Sequence, residues 1–546
     1  MKKRKLILST CAALMFAQVS NAQVLQPVLQ WEVPSAIGEG AADLVAFMDY
    51  TEDVCMAGWA GAGAEAGLTS INSDGTTNAV GAVAWPGGSI VGPVVNLGST
   101  SYIHYIDPIT HVMTSALCTN ENITEALFSY SHFITFTYEQ IEFIDAIMVN
   151  HMGMEKHGIL LSVFDAADGK QKAVFIAINI DPATETATYT EIPIFVGSWA
   201  TFPVDIYGYA GDFYVWGYFN KNAAGTTHDN FITKFFDEGE NWYLAYTKTH
   251  ASYTGRDDIA TAIEMDMVGN LYGISQSEDN VEPYYDHVAV FKFNPTNGKR
   301  LWVKRLGEGF LADEYGKSAA GDKLGNGLAI TGSVSDGAGG RNARTWRLNS
   351  SGTTLWVKTI NNTGPGTLEE GREINFCMGS GDFNVMGYRS SDDNFFIARY
   401  NTATGVAAWP METYQGDYDG LVIDGSMALS SSPTSDIYCT FLIQAGLSVS
   451  MITTKYEQLI LKENSGLEED QVISLFPNPS ADQIQITGAA INSLLQIMNV
   501  NGEIVIEKQI DNENPVIDIQ LLPQGYYSVL IYSEQNVKAL SFIKIK

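Results

Sequence analysis

A glycine-centred turn, repeated at a nearly constant interval, limits what this chain can fold into more than any other feature. It reads Gly211-Asp212-Phe213-Tyr214-Val215-Trp216-Gly217, Gly269-Asn270-Leu271-Tyr272-Gly273-Ile274, Gly325-Asn326-Gly327-Leu328-Ala329-Ile330 and Gly381-Asp382-Phe383-Asn384-Val385-Met386-Gly387, at steps of 58, 56 and 56 residues. A fifth copy, Ser435-Asp436-Ile437-Tyr438-Cys439, follows at 54. After each turn comes a second apolar strand, as in Phe231 to Phe235, Val288 to Phe293, Arg344 to Leu348 and Phe396 to Tyr400. A further turn then leads to a strand carrying Trp242, Trp302, Trp356 or Trp409. Self-similarity at a fixed period means one supersecondary unit copied several times, each copy burying its faces against its neighbours.

Four short strands per repeat of this length make the blade of a β-propeller, which leaves no long exposed sheet edge. The body is rich in Gly, Tyr, Phe, Val and Thr and shows no long helical period, so an all-β body is expected. Dividing residues 43–457 by the repeat length predicts a seven- or eight-bladed β-propeller. The last copy lacks a Trp strand, and Leu29-Gln30-Trp31-Glu32-Val33 resembles Leu301-Trp302-Val303, so the N-terminal strand is expected to close the ring by completing the last blade. Asp266-Met267-Val268-Gly269-Asn270 and Asp322-Lys323-Leu324-Gly325-Asn326 fall at the first hairpin, where Gly-Asn supplies a positive φ. At these residues, and at Asn294 to Trp302, the body resembles the bacterial β-propeller repeats of the Asp-x-x-Gly-Asn type. That resemblance covers residues 205–457 and weakens before them.

The last 76 residues have a different pattern. Phe476-Pro477-Asn478-Pro479 opens a series of short alternating segments, among them Gln483 to Ile486, Leu494 to Met498, Val516 to Ile519 and Tyr527 to Ile531, broken by Asn501-Gly502 and Pro523-Gln524-Gly525. Period-two alternation with such breaks predicts a small antiparallel β-sandwich. Over residues 471–546 the chain resembles the C-terminal sorting domain of Bacteroidota type IX secretion cargo. The resemblance implies export by the type IX secretion machinery and display on, or release from, the outer cell surface. Lys2-Lys3-Arg4-Lys5, an apolar run from Leu6 to Val19, and Ser20-Asn21-Ala22 read as a signal peptide cleaved near Ala22. The expected organisation is a signal peptide at 1–22, a propeller at 23–460, a polar linker at 461–470 and the sandwich at 471–546. No stretch outside the leader is long and apolar enough for a membrane span.

A formal net charge of −31 argues against nucleic acid, whose binding rests on neutralising phosphates, and leaves cations, basic proteins and neutral glycans open. Cys55, Cys118, Cys377 and Cys439 form no Cys-x-x-Cys pair and read as small buried apolar residues, with disulfides as the alternative. Paired acids precede consecutive blades: Asp257-Asp258, Asp313-Glu314 and Glu369-Glu370, each 56 residues from the last. They predict an arc of negative charge on one face of the ring. The arc has two readings, oxygen ligands for a divalent cation such as calcium, or acceptors for backbone N–H groups. His151, Glu155 and His157 lack metal-ligand spacing on a helix and read as solvated loop residues. No Gly-x-Ser-x-Gly elbow is present, and the periodic tryptophans mark packing between blades, leaving Trp59 and Trp216 as candidates for stacking on sugars. The expected function is a secreted or surface-displayed binding or scaffold module for a glycan or protein ligand. The alternative is an extracellular enzyme acting on polysaccharide or peptide over the propeller channel.

Overall fold

A computed structural model describes the strands between residues 28 and 457 with many of their loops, and the strands of 474–544; residues 1–27, 458–473 and several short stretches between strands lie outside it. The chain divides into two compact units, Met1–Leu461 and Lys462–Lys546. The described secondary structure is all-β: strands, turns and bends, without a helix.

The first unit is a propeller-like array of four-stranded antiparallel sheets, eight of them among the described residues. They are numbered here I to VIII: I (42–81), II (90–133), III (140–194), IV (201–250), V (258–306), VI (314–360), VII (369–413) and VIII (421–457). In sheets I to VII the four strands follow one another in order, as short antiparallel connections require. Sheet VIII has only three strands of its own, and its outermost strand is Val28–Ser35, paired with Ser448–Glu457. The innermost strand of each sheet packs against that of the next, and Leu421–Leu429 of sheet VIII packs against Ala42–Ala46 of sheet I.

Strand position decides which residues are apolar. A middle strand lies between two neighbouring sheets and is dry on both faces, so Lys170–Asp181 is buried at eight consecutive residues. An outer strand has one wet face, and Asn241–His250 buries only Trp242 and Tyr246. Each inner strand from sheet III onward carries a one-residue bulge against its neighbour, at Ile144, Val204, Thr261, Lys317, Arg372 and Ile423. A bulge adds local twist, and its recurrence at one register bends every inner strand alike.

A second bulge, on the outer strand, corrects the alignment of the tryptophans. Leu301 and Leu355 are bulged, and the next residues, Trp302 and Trp356, face Lys292 and Arg347. In sheet IV the bulged residue is Ala245, and the residue facing Lys234 is Tyr246, not Trp242. The side-chain polar atoms of Tyr246, Trp302 and Trp356 donate to the carbonyls of Pro295 (3.0 Å), Ser350 (3.2 Å) and Thr402 (3.0 Å) in the following sheet. Trp242 instead packs between Phe175 and Phe213 and donates to Asn179 Oδ1 at 2.8 Å. The same register recurs in sheet VIII, where Gln30 is bulged and Trp31 faces Lys455. Trp409 lies outside the described residues.

Each ring lies over a glycine with positive φ in the turn of the next sheet: Tyr246 over Gly298, Trp302 over Gly352, Trp356 over Gly405. A Cβ at Gly405 would stand 2.6 Å from the Trp356 ring. At the first hairpin the positive φ falls on Gly211, Gly269 and Gly381, but in sheet VI on Gly327 rather than Gly325, in a loop one residue longer than that of sheet V. Asp266 organises its hairpin by accepting from Val268 N, Asn270 N, Asn270 Nδ2 and Tyr272 OH, and it reaches Gly327 N of sheet VI at 2.7 Å.

The second unit is a two-sheet sandwich, one sheet holding Ser474–Phe476, Gln483–Thr487 and Val516–Asp518, the other Leu494–Met498, Ile504–Gln509, Gly525–Tyr532 and Val537–Lys544. Its core joins Ile484, Ile486, Leu495, Ile497, Ile517, Tyr527, Val529 and Phe542. Those side chains sit at alternate positions, as period two demands.

Candidate functional site

The paired acids stand where the chain enters an inner strand. Asp258, Glu314 and Glu369 are equivalent, each the first residue of its strand and each buried, facing Ser277, Val334 and Arg389. Sheet VII therefore aligns through Glu369 alone, and Glu370 occupies the register of Ile259 and Tyr315. Asp258 accepts from Ser252 N at 2.8 Å and from its hydroxyl, and burial raises its carboxyl to about 6 against the pull of Ser252 and Ser277. Glu314 meets Arg344 at 3.1 Å, and Glu369 lies 3.8 Å from Arg389. Glu370 is approached by Arg372 (2.8 Å), Lys317 (3.6 Å) and Arg341 (3.9 Å).

Asp257 and Asp313 join sheets. Their carboxylates accept the first N–H of a third strand, His228 N (2.9 Å) and Asp286 N (3.0 Å), while their carbonyls accept from Glu278 N and Ser335 N at the end of a second strand. Among the described residues no three His, Cys, Asp or Glu side chains converge as a metal-holding group.

Along the inner strands, the residue after the bulge reaches the next sheet. Asp205 accepts from Ile206 N and from Ile263 N, both at 2.8 Å, and Ser318 Oγ accepts from Ile374 N. Burial, and then the Asp145 charge, push the Asp205 carboxyl up. Glu264 accepts from Lys323 Nζ at 3.0 Å, and that ammonium also donates to Tyr207 OH and Met265 O.

One pair of side chains breaks the repeat pattern. Phe195 and Trp199 flank Gly197, whose φ is +70°, in the loop after the outer strand of sheet III, and they are 62 % and 40 % exposed while Val196 between them is buried. Lys172 Nζ lies 5.7 Å from the Phe195 ring centre and Lys170 Nζ 5.5 Å from that of Trp199. Lys170 also donates to Ser198 O at 2.7 Å, and Lys172 is held by Asp165 and Asp168. Two exposed aromatics thus each lie against a cation from the same strand. Sequence reading missed them because they follow no period. Of its own candidates, Trp216 is fully buried and donates to Ile274 O, and Trp59 lies outside the described residues.

The histidine segment also differs from expectation. His157 is on a strand and fully buried, against Tyr102 (4.6 Å between ring centres) and His104 (5.6 Å), while Glu155 accepts from Tyr102 OH at 3.1 Å. Cys118, Cys377 and Cys439 are buried free thiols.

The second unit decides the comparison with known families. Residues 474–546 match the secretion system C-terminal sorting domain. This sorting domain implies handling by the type IX secretion system and delivery to the cell surface or exterior. No curated protein matches the chain. Among solved structures, the WD40 domain of SCAP from fission yeast is similar at 10 % identity and TM-score 0.41, over 78 % of this chain and 98 % of that one. Quinohemoprotein alcohol dehydrogenase from Comamonas testosteroni is similar at 10 % identity and TM-score 0.44, over 84 % and 79 %. PorZ, a surface component of the type IX system of Porphyromonas gingivalis, is similar at 9 % identity and TM-score 0.17, over 92 % and 93 %.

Proposed function

We propose that this protein is a surface-displayed or released binding module. On this reading, residues 1–22 are removed on export, the sorting domain directs secretion, and the body is an eight-bladed ring closed by the strand Val28–Ser35. Residues 461–470 join ring and tail. The ligand is a neutral glycan, stacked on Phe195 and Trp199. The observation that carries this reading is that pair of exposed rings, each against a lysine, Lys170 or Lys172, with Lys172 paired to Asp165 and Asp168. Burying an aromatic against a sugar face is favourable, and pre-ordering the ring lowers the entropy lost on binding. The charge of −31 disfavours anionic polymers. The paired acids serve on this reading as fasteners between sheets, since each accepts from a backbone N–H or faces a cation or hydroxyl within the ring.

The test is retention of the full chain on neutral polysaccharides, compared with Trp199→Ala and Phe195→Ala. Trp199→Ala should weaken binding at least ~10-fold, the scale of one lost stacking contact. Equal retention of wild type and Trp199→Ala would refute the site, and absence of any glycan binding would leave a protein ligand.

A further inference from the structure

Five of the chain's eight histidines share a simple contrast. His132, His228 and His287 each face a carboxylate, Glu191 at 3.8 Å, Asp257 at 3.3 Å and Asp279 at 3.7 Å. His104 and His157 face none. Both are fully buried where sheets II and III meet, within an apolar cluster that includes Ile106, Met113, Ile159, Leu161 and Ile178. His104 Nδ1 pairs with Ser115 Oγ at 2.9 Å, which leaves Nε2 without a partner, and neither nitrogen of His157 has one.

Each charged or titratable group around the pair has another partner or is an uncharged or exposed side chain. On the strand of His157, Glu155 accepts from Tyr102 and Lys156 pairs with Asp237. On the outer strands, Tyr189 stacks on His132, which faces Glu191, and the Tyr130 hydroxyl is pushed up by burial and then by the charges of Glu185 and Glu155. On the inner strand of sheet III, Glu142 is exposed and Asp145 interacts with Asp205 of sheet IV. On the third strands, Cys118 is a buried thiol and Lys172 is bound to Asp165. An imidazolium at His104 or His157 would therefore be a buried charge with no counter-charge.

We propose that the contact between sheets II and III is an acid-sensitive seam, which parts because His104 and His157 can take up protons only when the sheets separate. The sign follows from burial. Burial lowers His104 to about 3 and holds His157 well below the usual imidazole range. Groups whose folded pKa is depressed bind more protons when exposed, so closure is complete above about pH 6.5 and is lost progressively as pH falls below it. Between pH 7.5 and 5.5 each histidine multiplies the open population by about 10, and the two together by about 100. Carboxyls raised by burial work in the opposite direction: Glu155 at the seam itself, which offsets part of the histidine effect, and Asp205 and Asp258, the latter raised to about 6, away from it in sheets IV and V.

The experiment is amide hydrogen exchange on the full chain at pH 7.5 and 5.5, corrected for intrinsic rates. Protection of Thr100–Asp107 and Met154–Asp165 should fall by about 100-fold, while Leu271–Glu278 and Leu328–Ser335 of sheets V and VI hold theirs. The double variant His104→Asn/His157→Phe should lose that difference. Equal protection at both pH values, a double variant that keeps the wild-type difference, or a difference abolished by a metal chelator would each overturn the proposal. If the variant does not fold, an assigned histidine ring-proton NMR titration of wild type decides: His104 and His157 silent above about pH 5, as His250 also is because burial lowers it to about 4, support the seam, and either of the pair titrating near 6.5 refutes it.

Discussion

Replacing Asp266 should expose how much one carboxylate holds together. It accepts five hydrogen bonds, and two donors, Tyr272 OH and Gly327 N, are buried, so water cannot replace the lost acceptor there. Each orphaned buried donor costs about 1–3 kcal/mol, and the more accessible donors at Val268 and Asn270 add less. Asp266→Ala should therefore lose about 3–6 kcal/mol. Asp266→Asn should lose about 2–4 kcal/mol despite its identical shape, because an amide nitrogen in either orientation faces at least two of the five donors. Tyr272→Phe alone should lose about 1 kcal/mol, and in the double variant Asp266→Ala/Tyr272→Phe one orphan is gone, so its loss should fall short of the sum by about 1–2 kcal/mol. Urea unfolding of the full chain followed by tryptophan fluorescence is a selective assay, since all 10 tryptophans precede residue 410 and the sorting domain has none. Asp266→Asn within ~0.5 kcal/mol of wild type, or strict additivity in the double variant, would refute the argument.

Two further outcomes test the ring. Gly405→Ala puts a Cβ 2.6 Å from the Trp356 ring at a φ of +64° and should cost about 2–4 kcal/mol in the same assay, whereas Gly337→Ala, also at positive φ but with open space around it, should cost about 1 kcal/mol from backbone strain alone. Deleting Val28–Ser35 removes the whole outer ladder of sheet VIII and should lower Tm by at least ~5 °C, scored by calorimetry; an unchanged melt would show that sheet VIII does not depend on that strand.

What the sequence revealed was set by backbone geometry. Turns such as Gly211 and Gly269 require a positive φ that other residues resist, so glycines keep the period even where the strands drift. Side-chain identity is a weaker marker. Tyr246 fills the place of Trp302 because both span the gap to a carbonyl in the next sheet, and Trp242 nearby drew the alignment away. The repeat faded before residue 205 because four strands of sheets II and III run to 12 residues, stretching the unit beyond the template. The acid pairs were visible as a spacing, but their partners lie in neighbouring sheets, and Arg344 or Arg389 cannot be assigned to Glu314 or Glu369 without the register. His157 read as a loop residue because its environment, Tyr102 and His104, is more than fifty positions away in the chain.

The charge pattern has a consequence of its own. Opposite Tyr246, Trp302, Trp356 and Trp31 stand Lys234, Lys292, Arg347 and Lys455, one cation in each sheet at the same register. Lys292 reaches the Ser350 carbonyl at 2.9 Å, and Arg347 reaches Asp322 at 2.6 Å, with its guanidinium 5.5 Å from the Phe383 ring centre in sheet VII. Arg347 and Lys455 are buried. With 31 basic residues against 62 acidic ones, the chain places part of its scarce cations inside the ring, where low dielectric strengthens each pairing and solvent ions do not screen it. The net charge of −31 then describes the outer surface more than the interior. Such an arrangement leaves the acidic excess to act mainly in solvent while the seams between sheets are fastened by cations that it reaches least.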